Sequence, residues 1–114
     1  MTHKPNYMPP LFDPIPDHDI SLEEASEMTA RYRNGSLFNG LNGGCFNKTA
    51  VQQLLDQQDC EGIRYYYGVN STNEPVLILV GVTAENKDMV EGRLLEMSVP
   101  CPNFCDEDSA LVSG

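Results

Sequence analysis

Cationic side chains are scarce in this chain: seven Lys and Arg stand against 17 Asp and Glu, a formal net charge of −10. Nucleic acid is therefore not an expected partner, because phosphate binding draws on counterions released by clustered Lys and Arg. Anionic membrane surfaces are disfavoured on the same ground. Histidine is nearly absent. His3 and His18 both fall in a proline-rich stretch, so neither a Cys-His pair nor a serine triad finds its base, and no G-x-S-x-G occurs. No apolar run approaches the roughly 18 residues a membrane span needs, and M-T-H-K-P-N-Y-M-P-P holds no apolar h-region. A cytoplasmic location is expected, and with it reduced thiols at the four cysteines.

What is present concentrates between residues 60 and 84, C-E-G-I-R-Y-Y-Y-G-V-N-S-T-N-E-P-V-L-I-L-V-G-V-T-A. Residues 63–69 and 76–82 are runs of β-branched and aromatic residues separated by the polar residues 70–75, which predicts a hairpin. In the first run Ile63, Tyr65, Tyr67 and Val69 share one face, and Arg64, Tyr66 and Gly68 share the other, which places it near an edge. The second run is apolar on both faces and should be central. Gly81 within it points to a bulge or a close backbone approach, and Pro75 fits a strand start.

The 114 residues are enough for one domain without a staple. Residues 1–20 hold five of the eight prolines and read as an extended arm that Leu11, Phe12 and Ile15 can pin to the domain or to a partner. A single α+β domain is expected over residues 21–105, with two helices packed on a small, mostly antiparallel sheet. S-L-E-E at Ser21 is a capping box, and Leu22, Ala25, Met28, Thr29 and Tyr32 make its helix's apolar stripe, stopped by Asn34 and Gly35. Residues 36–46 form a Gly- and Asn-rich loop whose apolar residues suit a core plug. Asn47 can cap a second helix over residues 48–57, with Val51, Leu54 and Leu55 inward and Gln52, Gln53, Asp56 and Gln57 wet. Residues 89–99 suit either helix or strand, and a third strand is favoured because Gly92 precedes it and Pro100 ends it. Residues 106–114 are an exposed acidic tail.

The strongest chemical candidates are the thiols. Cys45, Cys60, Cys101 and Cys105 supply enough sulfur for a tetrahedral zinc site, but one C-x3-C with two isolated cysteines is not the paired-knuckle spacing of structural zinc. A disulfide or redox pair between Cys101 and Cys105, and inert thiols throughout, are the other readings. Asp13, Asp17, His18 and Asp19 match no defined cation loop, and Gly40 to Gly44 lack the Lys-Ser/Thr of a phosphate loop, so no cofactor is implied beyond the zinc alternative. Arg64, Tyr65, Tyr66 and Tyr67 have the composition of a binding surface. Against that, the tyrosines can simply pack on the helices and Arg64 can pair with an acidic neighbour.

The motifs E-E-A-x-x-M-T-x-R-Y-R from Glu23, C-x-G-I-R-x-Y-Y-G from Cys60, L-x-L-V-G-V from Leu77 and P-C-P-x-x-C from Pro100 resemble small bacterial proteins of unknown function. The resemblance spans about residues 20–108 and implies a recurring domain without an assigned activity. Without a convergent nucleophile, base or metal set, the expected function is a non-enzymatic protein-interaction module, such as an acidic inhibitor or immunity-type protein covering a basic partner. The rivals are a cysteine-based zinc or thiol redox protein and a self-assembling subunit docking by a strand edge or by the arm.

Overall fold

Two eight-residue strands form where the β-branched and aromatic residues concentrate, and the other elements of their unit assemble around them. The computed structural model describes residues 10–96 and 99–113; residues 1–9 of the arm, Met97 and Ser98 of the ambiguous segment, and Gly114 of the tail lie outside them. In chain order the elements are α1 (Leu22–Arg33), β1 (Gly43–Cys45), α2 (Lys48–Leu55), β2 (Gly62–Val69), β3 (Pro75–Val82), β4 (Leu94–Glu96), β5 (Val99–Cys101) and α3 (Ala110–Ser113). The α+β class read from the sequence is adopted. The described chain groups into two units, residues 10–16 with Asn47–Glu96, and Asp17–Phe46 with residues 99–113. Residues of the span 21–105 fall in both units, with the sheet β2-β3-β4 in the first and β1-β5 in the second. No described helix is long and apolar enough to cross a membrane.

In the first unit β2 and β3 pair antiparallel from Gly62↔Val82 to Val69↔Pro75. The turn between them is held by Asn70, whose carboxamide oxygen accepts from the Thr72 amide at 3.0 Å and the Glu74 amide at 2.9 Å. Asn73 takes the left-handed conformation there, at φ 68°, which asparagine tolerates better than most residues. β3 is central, as its two apolar faces require, and pairs on its far side with β4 through Ile78↔Glu96 and Val80↔Leu94.

The third strand is shorter than the sequence suggests. Residues 89–93 turn instead, with the Gly92 amide donating to the Met89 carbonyl at 3.0 Å, and the Gln57 side-chain oxygen takes the Arg93 amide at 2.8 Å. Strand geometry thus starts only at Leu94, and Val99–Cys101 pairs with β1 in the other unit.

Leu54, Leu79, Val80 and Val82 are the buried apolar residues among those described. Asn47 caps α2 by accepting from the Ala50 amide at 3.1 Å, and Leu54 carries the helix's contact into the core. Gln57, expected to be wet, is half-buried and also donates to the Leu54 carbonyl at 2.9 Å, tying the end of α2 to the turn before β4. An added Cβ at Gly81 would lie 3.0 Å from Cys60 Sγ and 3.1 Å from Gln57 Nε2, so this is the close approach its place in the strand announced.

The arm is pinned by two of its three apolar residues. The Leu11 amide donates to the Ala84 carbonyl at 2.6 Å, and the Phe12 ring sits over Gly62, while Ile15 stays exposed.

In the second unit the capping box of α1 forms as read: the Glu24 amide donates to Ser21 Oγ at 3.0 Å and the Ser21 amide to the Glu24 carboxylate at 3.0 Å. The Ser21 backbone amide, then its hydroxyl, hold the Glu24 carboxyl below its usual range. The loop after α1 is no core plug: Leu37 is exposed, and Phe38 meets the Tyr32 ring edge-on with centroids 5.4 Å apart. Arg33 Nη1 donates to the Leu111 carbonyl at 2.9 Å, which fixes α3 to α1, and Asp106, Glu107 and Asp108 before it are exposed.

Candidate functional site

The tyrosine strand is the part of the surface where sequence and geometry converge. β2 is an outer strand of its sheet, so one side of its backbone has no partner among the described residues. Its side chains divide by pleat, as the alternation requires. Arg64 and Tyr66 stand on the face of Val80 and Ile78, which are their cross-strand partners; Tyr65 and Tyr67 stand on the face of Leu79 and Leu77.

On the first of these faces Arg64 and Tyr66 reach across β3 to the far side of the sheet. Asp88, bridged to Val82, accepts from Arg64 Nη1 at 2.7 Å and from the Tyr66 hydroxyl at 2.5 Å, while Arg64 Nη2 donates to Asn86 Oδ1. The ion pair is partly shielded, with side-chain exposures of 30% for Arg64 and 23% for Asp88. The expected acidic neighbour of Arg64 is thus Asp88.

The Tyr66 hydrogen bond, with Arg64 adding to it, holds the Asp88 carboxyl below its usual range. The same bond to the carboxylate, with some burial, raises the Tyr66 phenol. Both shifts lead away from neutrality, the wrong direction for a general acid or base at physiological pH. The cluster is a clasp.

Its pH dependence follows from those signs. Asp88's depressed pKa gives stability that is present above the ordinary carboxyl value of about 4 and is lost as pH falls through the lower folded-state value. Tyr66's raised pKa gives stability present below the ordinary phenol value of about 10 and lost as pH rises through the higher one. Unfolding midpoints of Asp88→Asn and wild type are therefore expected to differ most between these limits, to converge at the acid end, and to draw closer without meeting at the alkaline end, where the Arg64–Asp88 pair persists; a constant offset over the whole range would contradict the clasp.

On the opposite face the tyrosines do not pack away. Tyr65 is 56% and Tyr67 83% exposed, with their rings edge to face at 5.7 Å between centroids, and Tyr66 is 47% exposed despite its hydroxyl bond. Tyr65's hydroxyl raises the Tyr67 phenol through a hydrogen bond. Val69 continues this face, also exposed. Tyr65, Tyr67 and Val69 thus form an aromatic and apolar strip with hydroxyl ends along the free side of the sheet.

The cysteines separate. Cys101 and Cys105 form a disulfide, their Cα atoms brought to 4.8 Å by a turn in which the Phe104 amide donates to the Pro100 carbonyl at 3.0 Å. Cys45 is a free exposed thiol in the same unit, and Cys60 is a free thiol in the first unit, where its Sγ donates to the Gly62 carbonyl at 3.3 Å. The expectation of reduced thiols is thus corrected at Cys101 and Cys105. Among the described residues no group of three or more His, Cys, Asp or Glu side chains that could hold a metal ion is found, and two of the four candidate zinc ligands, Cys101 and Cys105, are joined in the disulfide. For so short a loop the chain-entropy relation gives about 2 kcal/mol, so a Cys101→Ser/Cys105→Ser variant is expected to lose about that much unfolding free energy in denaturant titration.

An open cleft of about 240 Å3 in the second unit is lined by Met28, Thr29, Tyr32, Arg33, Asn42 and Leu111. It offers no carboxylate, imidazole or thiol.

Sequence reasoning placed Arg64 and the tyrosines but missed Asp88 and Asn86, 24 and 22 residues further on in a segment that reads only as a polar turn. No protein-family model, curated protein or solved structure matches this chain.

Proposed function

We propose that this chain is a non-enzymatic protein-interaction module that meets its partner with the tyrosine face of β2, as an acidic inhibitor or immunity-type protein would meet a basic target. The observation that supports it most is the exposure of Tyr65, Tyr67 and Val69 together on the outer strand of a sheet. Tyrosine gives large contact area with a hydrogen-bonding end at low entropic cost, and isolated exposed apolar residues would not form such a strip. The net charge of −10 selects for a partner of opposite sign and steers its approach.

The test is capture of a partner by the immobilised chain at low and at high salt. A basic protein retained at low salt and released as salt rises is the expected result, because the attraction is screened over about 10 Å at 0.1 M ionic strength. No partner at either salt contradicts the reading. The Cys101–Cys105 bond supports a thiol redox reading as a second choice, and it bears on location: in the expected cytoplasmic setting the thiol pool would keep this pair reduced. Thiol labelling of protein isolated under alkylating conditions separates the two, since an intact bond counts for an oxidising compartment.

A further inference from the structure

We infer that β2 pairs antiparallel with β2 of a second copy of this chain, about a two-fold axis passing beside Tyr66. This rests on the reading of β2 as the contact strand and specifies what occupies its backbone edge. An outer strand presents a row of unpaired N-H and C=O groups, and proteins that stay monomeric blunt such edges with lysines, prolines, bulges or short strands. β2 uses none of these, and among the described residues the arm reaches only the start of the strand, beside residues 62–65. It runs eight residues in unbroken register with β3, and Arg64, its one charged residue, is drawn across the sheet to Asp88 and Asn86.

The strand is also complementary to itself, which an isologous interface requires. Directly opposed residues must lie on the same face, so only registers that match the pleat are allowed. In the register centred on Tyr66, residues 63–69 all find partners. Ile63 faces Val69, Tyr65 faces Tyr67, and Tyr66 faces its own copy, so the outward strip becomes a run of aromatic and β-branched cross-strand pairs. Arg64 faces Gly68, so no like charges are opposed and the arginine meets no side chain. Moving the centre to Tyr65 or Tyr67 breaks the Tyr65 to Tyr67 matching, and at Tyr67 it also shortens the overlap. The pairing uses the backbone edge and leaves the tyrosine face open, now twice as wide, toward a partner.

Salt separates this association from partner binding. Two copies of charge −10 repel, so the dimer is expected to tighten as salt rises, whereas a basic partner is released. Sedimentation equilibrium should show the wild-type mass rising to twice that of the chain with concentration. Tyr65→Lys/Tyr67→Lys opposes ammonium groups in both flanking pairs and should weaken the dimer at least tenfold. Tyr65→Glu/Tyr67→Lys opposes a carboxylate to an ammonium in those pairs and should restore it, with circular dichroism confirming that both variants fold. A wild type that stays monomeric at every concentration and salt overturns the pairing. So do double variants that associate equally. Partner capture that persists in a monomeric chain leaves the interaction reading standing while this inference falls.

Discussion

Leu54→Ala is expected to lower the unfolding free energy by about 2–5 kcal/mol, the range for truncating a fully buried leucine. Leu54 is 0% exposed and is the buried residue of α2. The helix is only eight residues long, too short to persist alone, and depends on what it packs against. Around Leu54 there is little freedom to collapse: β3 lies on one side, and its own carbonyl is held by the Gln57 carboxamide, which also binds Arg93. Denaturant titration should show a lower midpoint with an unchanged slope, and a loss under about 1 kcal/mol would mean that the site relaxes as a surface position does.

Gly62→Ala should detach the arm. An added Cβ would stand 2.7 Å from one Phe12 ring carbon and 2.8 Å from another, closer than carbon atoms approach, and the ring belongs to a short segment held otherwise by the Leu11 amide. The ring therefore moves rather than the strand. The expected cost is about 1–3 kcal/mol, the scale of an overpacked contact, and it should overlap with that of Phe12→Ala. In a double-mutant cycle the two changes together should cost little more than either alone, since each removes the same contact. Full additivity would show that Phe12 does not rest on Gly62. Because the groove beside the ring is lined by Ile63, Arg64 and Tyr65, release of the arm also bares the start of the tyrosine strand.

Local chemistry made much of this fold legible. The hairpin, the central place of residues 76–82, the outer place of β2 and the capping box at Ser21 each rest on neighbours in sequence, and each appears in the structure. What escaped was long-range. β1 is Gly43, Gly44 and Cys45, residues without strand propensity, and it exists because residues 99–101 come back to pair with it. Gln57 looked wet on an amphipathic helix, yet its side-chain amide bonds the Leu54 carbonyl and the Arg93 amide, the second of them 36 residues away in sequence. In the candidate site, period two placed Arg64 and the tyrosines on their faces, while Asp88 and Asn86 were found only when β3 brought them alongside. The disulfide was one of three open readings of the cysteines, because spacing alone cannot show a turn that brings Cys101 to Cys105.

The most direct measurement of the central claim is partner capture by wild type and by Tyr65→Ser/Tyr67→Ser, side by side at low salt. Both positions are exposed, so the variant should fold as the wild type does, and circular dichroism checks this. Loss of at least tenfold in captured partner by the folded variant is the predicted result. Equal capture by the two proteins would contradict it and move the contact surface away from β2.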